Sequence, residues 1–266
     1  MKKKTIKELI SKIKDLIVKQ SILEESFAPE KISTSSEKTG VNSLFVAMKG
    51  EKHDGHDFIP KAIKNGARMV VYQNPIYEEL LRNESVSGIH VSDSRLAFSM
   101  ILEEFHDNPA SKLKLIAVTG TNGKTTTTYI LRNIISIKYR CGMISTVEYS
   151  APGFGRAASR TTPSPDEFQS LLNIMLKKKC EFAVMELSSH GLDQKRTGSA
   201  KFAGAIFTNL SGDHLDYHKN MENYYRAKKT LFEELLQDDA FSVVNTDNYY
   251  GKRLMDELKN PNNISC

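Results

Sequence analysis

"LIAVTGTNGKTTTTYI", Leu115–Ile130, decides the fold. Its Gly123-Lys124-Thr125 completes the phosphate-loop pattern G-x-x-x-x-G-K-[ST]. Val118 stands where that pattern has its first glycine, and Gly120 supplies the glycine instead. The flanks suit a phosphate loop. Leu113, Leu115, Ile116, Ala117 and Val118 read as a short buried strand. Thr126 to Ile137 read as a helix with Ile130, Leu131, Ile134 and Ile135 on its apolar face. A loop that opens a helix points N–H groups and the positive end of the helix dipole at an anion. Gly120 and Gly123 let the backbone approach phosphate without a Cβ in the way. Lys124 would reach the β/γ-phosphates and the Thr125 hydroxyl would ligate Mg²⁺. The plain alternative is a strand–turn–helix with a surface lysine.

The chain has 266 residues, which predicts about two domains at ~100–200 residues each. It is 39% hydrophobic and 26% charged, as suits a globular chain with a real core. The net charge of +5 is unevenly spread. Residues 1–110 hold 16 basic and 16 acidic residues; residues 111–266 hold 21 and 16. The excess therefore lies with the phosphate loop, which fits a small anionic substrate. No Arg-rich run or aromatic–basic alternation points to nucleic acid, and none is expected as a partner. Cys141, Cys180 and Cys266 show no metal or disulfide spacing, which implies free thiols in a reducing cytoplasm. Residues 1–20 are basic, but charges interrupt the apolar positions, unlike a signal peptide. Ile6, Leu9, Ile10, Ile13, Leu16 and Ile17 predict an amphipathic helix there. No apolar run reaches the ~20 residues of a membrane span.

Strands alternate with helices throughout. "SLFVAM", "ARMVVY" and "GIHV" read as strands, and "PIYEELLRN" and "DSRLAFSMILEEF" as helices. Pro109 in "HDNPASK" marks a boundary, giving domains 1–110 and 111–266. In the second, "CGMIST", "EFAVMEL", "FAGAIFTNL" and "FSVVN" read as strands. "MENYYRAKKTLFEELLQ" and "NYYGKRLMDELK" read as helices, and "APGFGRAASRTTPS" as a long loop. Ser164, Pro165 and Glu167 form a helix start, as N-cap, N1 and N3. The fold class is α/β, with a mostly parallel sheet covered on both faces in the second domain. Such sheets bind ligands beyond the carboxyl ends of their strands.

Chemistry-bearing residues collect at those ends. Glu186, Ser188, Ser189, His190, Gln194 and Arg196 follow one strand; Asn209, Asp213, His214, Asp216 and His218 follow another. A lone Glu or His at a strand end is more often a satisfied polar residue than a metal ligand. Two clusters and a phosphate loop on one rim make chance a poor account. His53 and His56 in "HDGHD" invite a zinc reading, but a polar turn after a strand accounts for them.

With these segments the chain resembles the Mur ligase family, in its MurE type, from about Ser33 to Asp247. "TGTNGKTTT" is that family's variant of the phosphate loop. "TTP" at Thr161–Pro163, "ELSSHGLDQKR", and "NLSGDHLDYH" followed by "YYRAKK" carry the subgroup, and "SLFVAMKGEKHDGHDFI" resembles its uridine-nucleotide segment. The resemblance implies a uridine-nucleotide-binding domain at 1–110 and a P-loop ATPase-type domain at 111–266. It implies ATP and Mg²⁺ as cofactors. Gly120, Thr121, Asn122, Gly123, Lys124, Thr125 and Thr126 would hold the ATP phosphates. Thr125, Glu186 and His214 would ligate metal, with Lys228 as the family's carbamylated lysine. Lys124, Glu186, His214 and Lys228 would thus be the catalytic set. Ser36, Thr161, Thr162, Ser188, Gln194 and Arg196 would bind the substrate, UDP-N-acetylmuramoyl-dipeptide, with Glu51–His53 near the uridine. A diamino acid would be the second substrate, and the protein would be a cytoplasmic monomer. One departure is Ser35-Ser36-Glu37, where the family commonly has Asp-Ser-Arg. Another is length: family members continue into a further domain, so the chain reads as a truncated form unable to complete ligation. Rival readings are a related ligase (MurF-like, MurC-like or folylpolyglutamate-synthase-like) and a non-catalytic nucleotide-binding module; "TTP" and "SSHGLDQKR" argue against the related ligases.

Overall fold

The computed structural model describes residues 3–50, 53–258 and 264–265, the last pair as backbone only. The chain divides into two compact units, Met1–Asp107 and Asn108–Cys266. The division falls earlier than the expected 110/111 boundary. Asn108 turns the chain with a left-handed φ of 48°, and Ala110 is already packed in the second unit's core.

In the first unit, α1 (Ile6–Ser11) leads to β1 (Ile17–Ser21), β2 (Lys31–Ser33) and β3 (Ser43–Val46). Then come α2 (Ile59–Lys64), β4 (Ala67–Tyr72), α3 (Glu78–Asn83), β5 (Ser87–Val91) and α4 (Ser94–Phe105). The sheet order is β1-β5-β4-β3-β2, parallel except for β1 against β5. Alternation along the strands sorts the two faces. Leu44, Val46, Met69 and Val71 pack with Ile6 and Leu9 of α1 and with Phe98 and Ile101 of α4. Phe45, Val70 and Tyr72 pack on the other face with Ile59 of α2 and Leu81 of α3. The predicted N-terminal helix is corrected: it stops at Ser11, and Ile17 belongs to a strand. A Thr5–Glu8 capping box fixes its start. The β-branched pair Ile17-Val18 gains more by joining the sheet edge beside β5 than by continuing the helix.

The second unit opens with β6 (Lys114–Thr119), α5 (Lys124–Ser136), β7 (Cys141–Ile144), β8 (Glu148–Ala151) and β9 (Phe154–Ala157). Next are α6 (Pro165–Lys177), β10 (Phe182–Glu186), α7 (Ser189–Asp193), β11 (Phe202–Phe207) and α8 (Leu215–His218). The unit continues with α9 (Met221–Glu234), β12 (Leu236–Val244), α10 (Tyr249–Glu257) and β13 (Ile264–Ser265). The sheet order is β13-β12-β11-β6-β10-β7-β8-β9. It is parallel from β13 to β7, with β8 and β9 antiparallel. β6 lies between β10 and β11, so three of the segments that carry chemistry end side by side.

Four expectations change here. The long loop begins with a hairpin, because Ala151 pairs with Phe154 across Pro152-Gly153, and Gly153 supplies φ 70° at the turn. On α5, Leu131 and Ile135 pack inward, whereas Ile130 and Ile134 are exposed. Residues one apart on a helix point about 100° apart, so the four cannot share one stripe. Ser164 caps α6 by position alone: its hydroxyl donates to Asp166, while Glu167 turns to Arg156 and Ser159. Finally, α9 ends at Glu234, and Leu236-Gln237 start β12.

Candidate functional site

The phosphate loop is clamped from the side by the end of β11. Thr208 Oγ1 donates to the Asn122 carbonyl at 2.6 Å, and Asn209 Nδ2 adds a second bond at 3.1 Å. Asn122 N donates to Asn209 Oδ1 at 3.0 Å, and Thr121 N to the Asn209 carbonyl at 2.9 Å. Two of the N–H groups expected to cradle phosphate are thus used to shape the loop. The donors left by helix geometry are those of Lys124, Thr125 and Thr126, at the start of a thirteen-residue helix with no side-chain cap. Gly120 explains the shifted glycine. At its φ of 147° a Cβ would sit 2.0 Å from Thr208 Oγ1, so no other residue fits against β11.

Lys124 folds back over this loop, its Nζ donating to the carbonyls of Gly120 at 3.0 Å and Thr121 at 2.8 Å. Burial pushes its pKa down, while the charges of Glu186 and Asp213 pull it back up. Glu186 ends β10 with no exposed surface. Its Oε1 accepts from Thr146 N at 2.9 Å and its Oε2 from the Thr146 hydroxyl at 3.0 Å.

Around it the expected substrate residues form one network. Thr162 Oγ1 donates to the Glu186 carbonyl at 3.1 Å and accepts from Ser188 N at 2.9 Å. Ser188 Oγ accepts from Gly191 N and so caps α7. Arg196 donates to the Thr162 carbonyl at 2.7 Å and clasps Gln194 Oε1 through Nε and Nη2. Thr161 is joined to Thr146 through their hydroxyls at 3.1 Å. Thr162 is almost wholly buried and its hydroxyl is engaged within the protein. Thr161, by contrast, keeps part of its surface exposed.

His214 and Lys228 do not meet directly. His214 has a left-handed φ of 52° and sits 3.4 Å from Asp213, both side chains about half exposed. Lys228 is 1% exposed, and its Nζ donates to the Gly120 carbonyl at 2.9 Å. Two lysines therefore converge on one carbonyl of the phosphate loop. Burial pushes the Lys228 amine down to about 7, and the Lys124 charge adds to the effect. What joins these parts is Tyr224, one turn before Lys228 on α9. The Lys228 Nζ lies 4.7 Å from its ring centroid, the His214 ring 6.1 Å away, and its hydroxyl is 3.2 Å from Thr121 Oγ1. His190 and His218 complete an aromatic cluster there, and burial pushes the His218 pKa down. Among the described residues no three or more His, Cys, Asp or Glu side chains converge to hold a metal ion by themselves. Sequence reasoning passed over Thr146, Thr208 and Tyr224. Their signals were position after a strand for the threonines, and i, i+4 spacing to Lys228 for the tyrosine.

In the first unit, Ser36 is buried and its carbonyl accepts from Asn65 Nδ2 at 2.8 Å. Glu51 lies outside the described residues. His56 is structural: Nδ1 meets Asp54 at 2.6 Å and Nε2 accepts from Gln73 N at 2.9 Å. Nδ1 is thus used within the turn, and Nε2 ties the turn to the backbone just after β4.

A phosphate loop at the end of a central parallel strand, with a carboxylate on the next strand, defines a P-loop nucleotide-binding α/β unit. A family model described as the Mur ligase middle domain matches residues 118–265, and one described as the Mur ligase family catalytic domain matches residues 30–106. The chain belongs to the Mur ligase family. The UDP-N-acetylmuramoyl-L-alanyl-D-glutamate–2,6-diaminopimelate ligase of Phocaeicola vulgatus is 42% identical over 240 residues, 90% of this chain and 49% of its own length. The protein of the same name from Fusobacterium nucleatum is 42% identical over 236 residues, 88% of this chain and 47% of its own. The chain spans about half the length of the curated relatives it matches. A solved structure bearing that ligase name superposes with a TM-score of 0.79 at 26% identity, covering 98% of this chain and 52% of the other. The MurF ligase of Thermotoga maritima, solved with ADP, shares the fold at TM-score 0.54 and 22% identity, covering 88% of this chain and 48% of its own. No helix among the described residues is long and apolar enough to cross a membrane.

Proposed function

We propose that the chain is the nucleotide-binding part of an ATP-dependent, amide-forming ligase of peptidoglycan precursor synthesis, working in the cytoplasm. Its substrates are UDP-N-acetylmuramoyl-L-alanyl-D-glutamate and a diamino acid. 2,6-Diaminopimelate is the first choice, because the relatives' names carry it. The observation that carries the reading is the phosphate loop, with Lys124 at the start of α5 folded back onto the Gly120 carbonyl and the buried Glu186 ending β10 beside β6.

A carboxylate is a poor acyl donor, since its leaving group would be oxide. Transfer of the γ-phosphoryl group from ATP makes an acyl phosphate and releases ADP. The amine then attacks the carbonyl carbon, the C–O bond to phosphate breaks, and the amine loses a proton. The difficulty is electrostatic, because two anions must meet. Lys124 and the N–H groups of Lys124–Thr126 receive phosphate oxygens. Arg196, Ser188 and Thr161 are the residues proposed for the carboxylate end of the substrate, and Ser36 is the one the resemblance assigns to the uridine end. A fully buried carboxylate beside an ammonium is a hard oxygen donor of the kind Mg²⁺ prefers, so Glu186 and the Thr125 hydroxyl fit that ion. The family resemblance would give a second ion to His214 and a carbamylated Lys228, although as placed the two side chains do not meet. A Lys228 amine held near 7 has the neutral fraction that reacts with CO₂ at neutral pH. Mg²⁺ supplies charge neutralisation between the phosphates.

Calorimetric titration with the UDP-sugar-dipeptide, beside an assay of diamino-acid-dependent phosphate release, tests the reading. Binding is expected. Absence of binding to both nucleotide and UDP-sugar-dipeptide refutes it, and binding without turnover is the outcome for a non-catalytic module.

A further inference from the structure

The amino ends of the central strands, opposite the phosphate loop, carry charge and apolar surface that the ligase reading does not use. Strands β6, β10 and β7 start level there, because Phe182 pairs with Lys114 on one side and Cys141 on the other. Lys112 and Lys114 flank the entry to β6, and Lys138 and Arg140 precede β7. Lys177, Lys178 and Lys179 precede β10. Hydrogen bonds tie the three entries together. Arg140 Nε donates to the Lys178 carbonyl at 2.8 Å, Glu181 N to the Arg140 carbonyl at 2.9 Å, and Lys114 N to the Glu181 carbonyl at 2.9 Å. Segments 112–114, 138–140 and 177–181 hold seven basic residues and one acidic, Glu181. That excess is larger than the +5 of the whole chain. None of the seven is ion-paired among the described residues. The positive edge ends beyond β11, where Asp238 and Asp239 of β12 are exposed.

Apolar surface lies beside the charge. The Tyr139 and Phe182 rings are 5.0 Å apart, each with a lysine ammonium, Lys138 or Lys114, 5.4 Å from its centroid. Ile130, Ile134 and Ile137 follow at i, i+4 and i+7 along α5 and its C-cap, so they form one stripe. They are 53%, 58% and 85% exposed. A single exposed isoleucine needs no explanation. A stripe of three running into a basic edge marks an interaction surface.

We propose that this edge docks on the surface of an anionic phospholipid bilayer. Ile134 and Ile137 enter the boundary between headgroups and acyl chains, and the lysines and Arg140 face lipid phosphates. Both halves of the surface fit such a layer, which is charged outside and apolar beneath. Nucleic acid offers the phosphates but leaves the isoleucines in water. The geometry keeps the two ends of the sheet independent. Phe182 at the basic edge and Glu186 at the phosphate-loop rim are four residues apart on one strand, about 13 Å. A docked chain therefore holds its nucleotide site open to solution, and the inference does not depend on the ligase reading.

Flotation of the 266-residue chain with lipid vesicles tests this. One set mixes phosphatidylglycerol and phosphatidylcholine equally, and the other is phosphatidylcholine alone. Binding is expected to the anionic vesicles only, and it should fall as salt rises from about 0.1 to about 0.5 M. A cation near an anionic surface is worth roughly fivefold in affinity, so Lys177→Gln with Lys179→Gln should bind roughly thirtyfold more weakly. Ile137→Ser removes apolar surface at an exposed position and should lose roughly tenfold. A charge-matched control, Lys14→Gln with Lys31→Gln at exposed positions of the first unit, should stay within about twofold of the wild type. Affinity for AMP-PNP, a non-hydrolysable ATP analogue, should stay within about twofold in every variant, since the phosphate loop is at the other rim. No flotation with anionic vesicles at about 0.1 M salt, an equal loss in the control, or unchanged binding by Ile137→Ser overturns the inference. So does binding to polyuridylate without binding to vesicles, which marks nucleic acid as the partner. A dimer that Ile137→Ser dissolves, in a chain that ignores vesicles, overturns it in favour of a second copy. Each of these results leaves the ligase reading standing.

Discussion

Replacing Lys228 with methionine should stabilise the second unit at low pH and remove part of its pH dependence. The lysine is buried and its amine is moved from 10.5 to about 7. That displacement corresponds to roughly 5 kcal/mol at ~1.36 kcal/mol per tenfold change in proton affinity. The sign follows from proton counting. Below pH 7 both folded and unfolded chains carry the ammonium, so the folded state bears the whole burial cost. Between 7 and 10.5 the unfolded chain binds the extra proton, so stability rises with pH, by up to ~1.4 kcal/mol per pH unit. Methionine is unbranched, ends one atom short of the lysine Nζ and carries no charge. It forfeits the bond to the Gly120 carbonyl and the contact over the Tyr224 ring, of which the charged hydrogen bond is worth roughly 1.5–3 kcal/mol. The Gly120 carbonyl is not orphaned, because Lys124 also donates to it. The net expectation at pH 6 is a gain of about 3 kcal/mol for Lys228→Met, shrinking above pH 7 and gone by about pH 9. Cys141, whose thiol burial pushes up to about 12, loses stability at high pH in both proteins and cancels in the comparison. The assay is urea unfolding in CO₂-free buffer, with pulse-labelled exchange of peptides from β6 and α9 to report this unit alone. A pH-independent gap, or a variant less stable at pH 6, refutes the reasoning.

Arg196→Ala should weaken UDP-sugar-dipeptide binding roughly ten- to a hundredfold and nucleotide binding far less; calorimetry showing equal losses counts against its assignment. Gly120→Ala should abolish AMP-PNP binding and lower the melting temperature, since its Cβ would meet Thr208 Oγ1 and the φ of 147° excludes other side chains; a variant that binds normally refutes the clamp. Lys229→Ala breaks pairs with Glu233 and Glu257, worth about 1 kcal/mol at most, and should leave nucleotide affinity within about twofold.

The parallel sheet was legible because its strands are buried on both sides and read as apolar runs: Leu115–Val118, Ala183–Met185, Ala205–Phe207. What the sequence concealed depended on pairing rather than pattern. Ile17 continues the apolar periodicity of α1, and only its pairing with Val91 at the edge of the sheet makes it strand. Phe154–Ala157 carry one large apolar residue, so β9 exists through backbone pairing with β8, and Pro152-Gly153 was its one local sign. Ile130 and Ile134 fit a helical spacing as well as Leu131 and Ile135 do, and the spacing alone cannot say which pair faces the sheet.

The site divides along the same line. Gly120, Lys124 and Glu186 were legible because their roles follow from local chain geometry: a loop between strand and helix, and a strand end. Lys228 is different, since its role depends on where α9 crosses the sheet. The sequence places it fourteen residues after His214 and suggests the loop around that histidine as its target. In the fold its amine reaches the Gly120 carbonyl instead, beside Lys124. Two ammonium groups on one carbonyl repel, and burial sharpens the repulsion. The arrangement is tolerable as long as Lys228 gives up its proton, and an amine without its proton is what carbamate formation requires. The proposed carbamate at Lys228 would thus depend on a placement that pattern reading missed. The physical cause of the lowered amine pKa is burial first and the charge of Lys124 second, and both follow from where α9 sets residue 228 against the Gly120 carbonyl, which no local motif encodes.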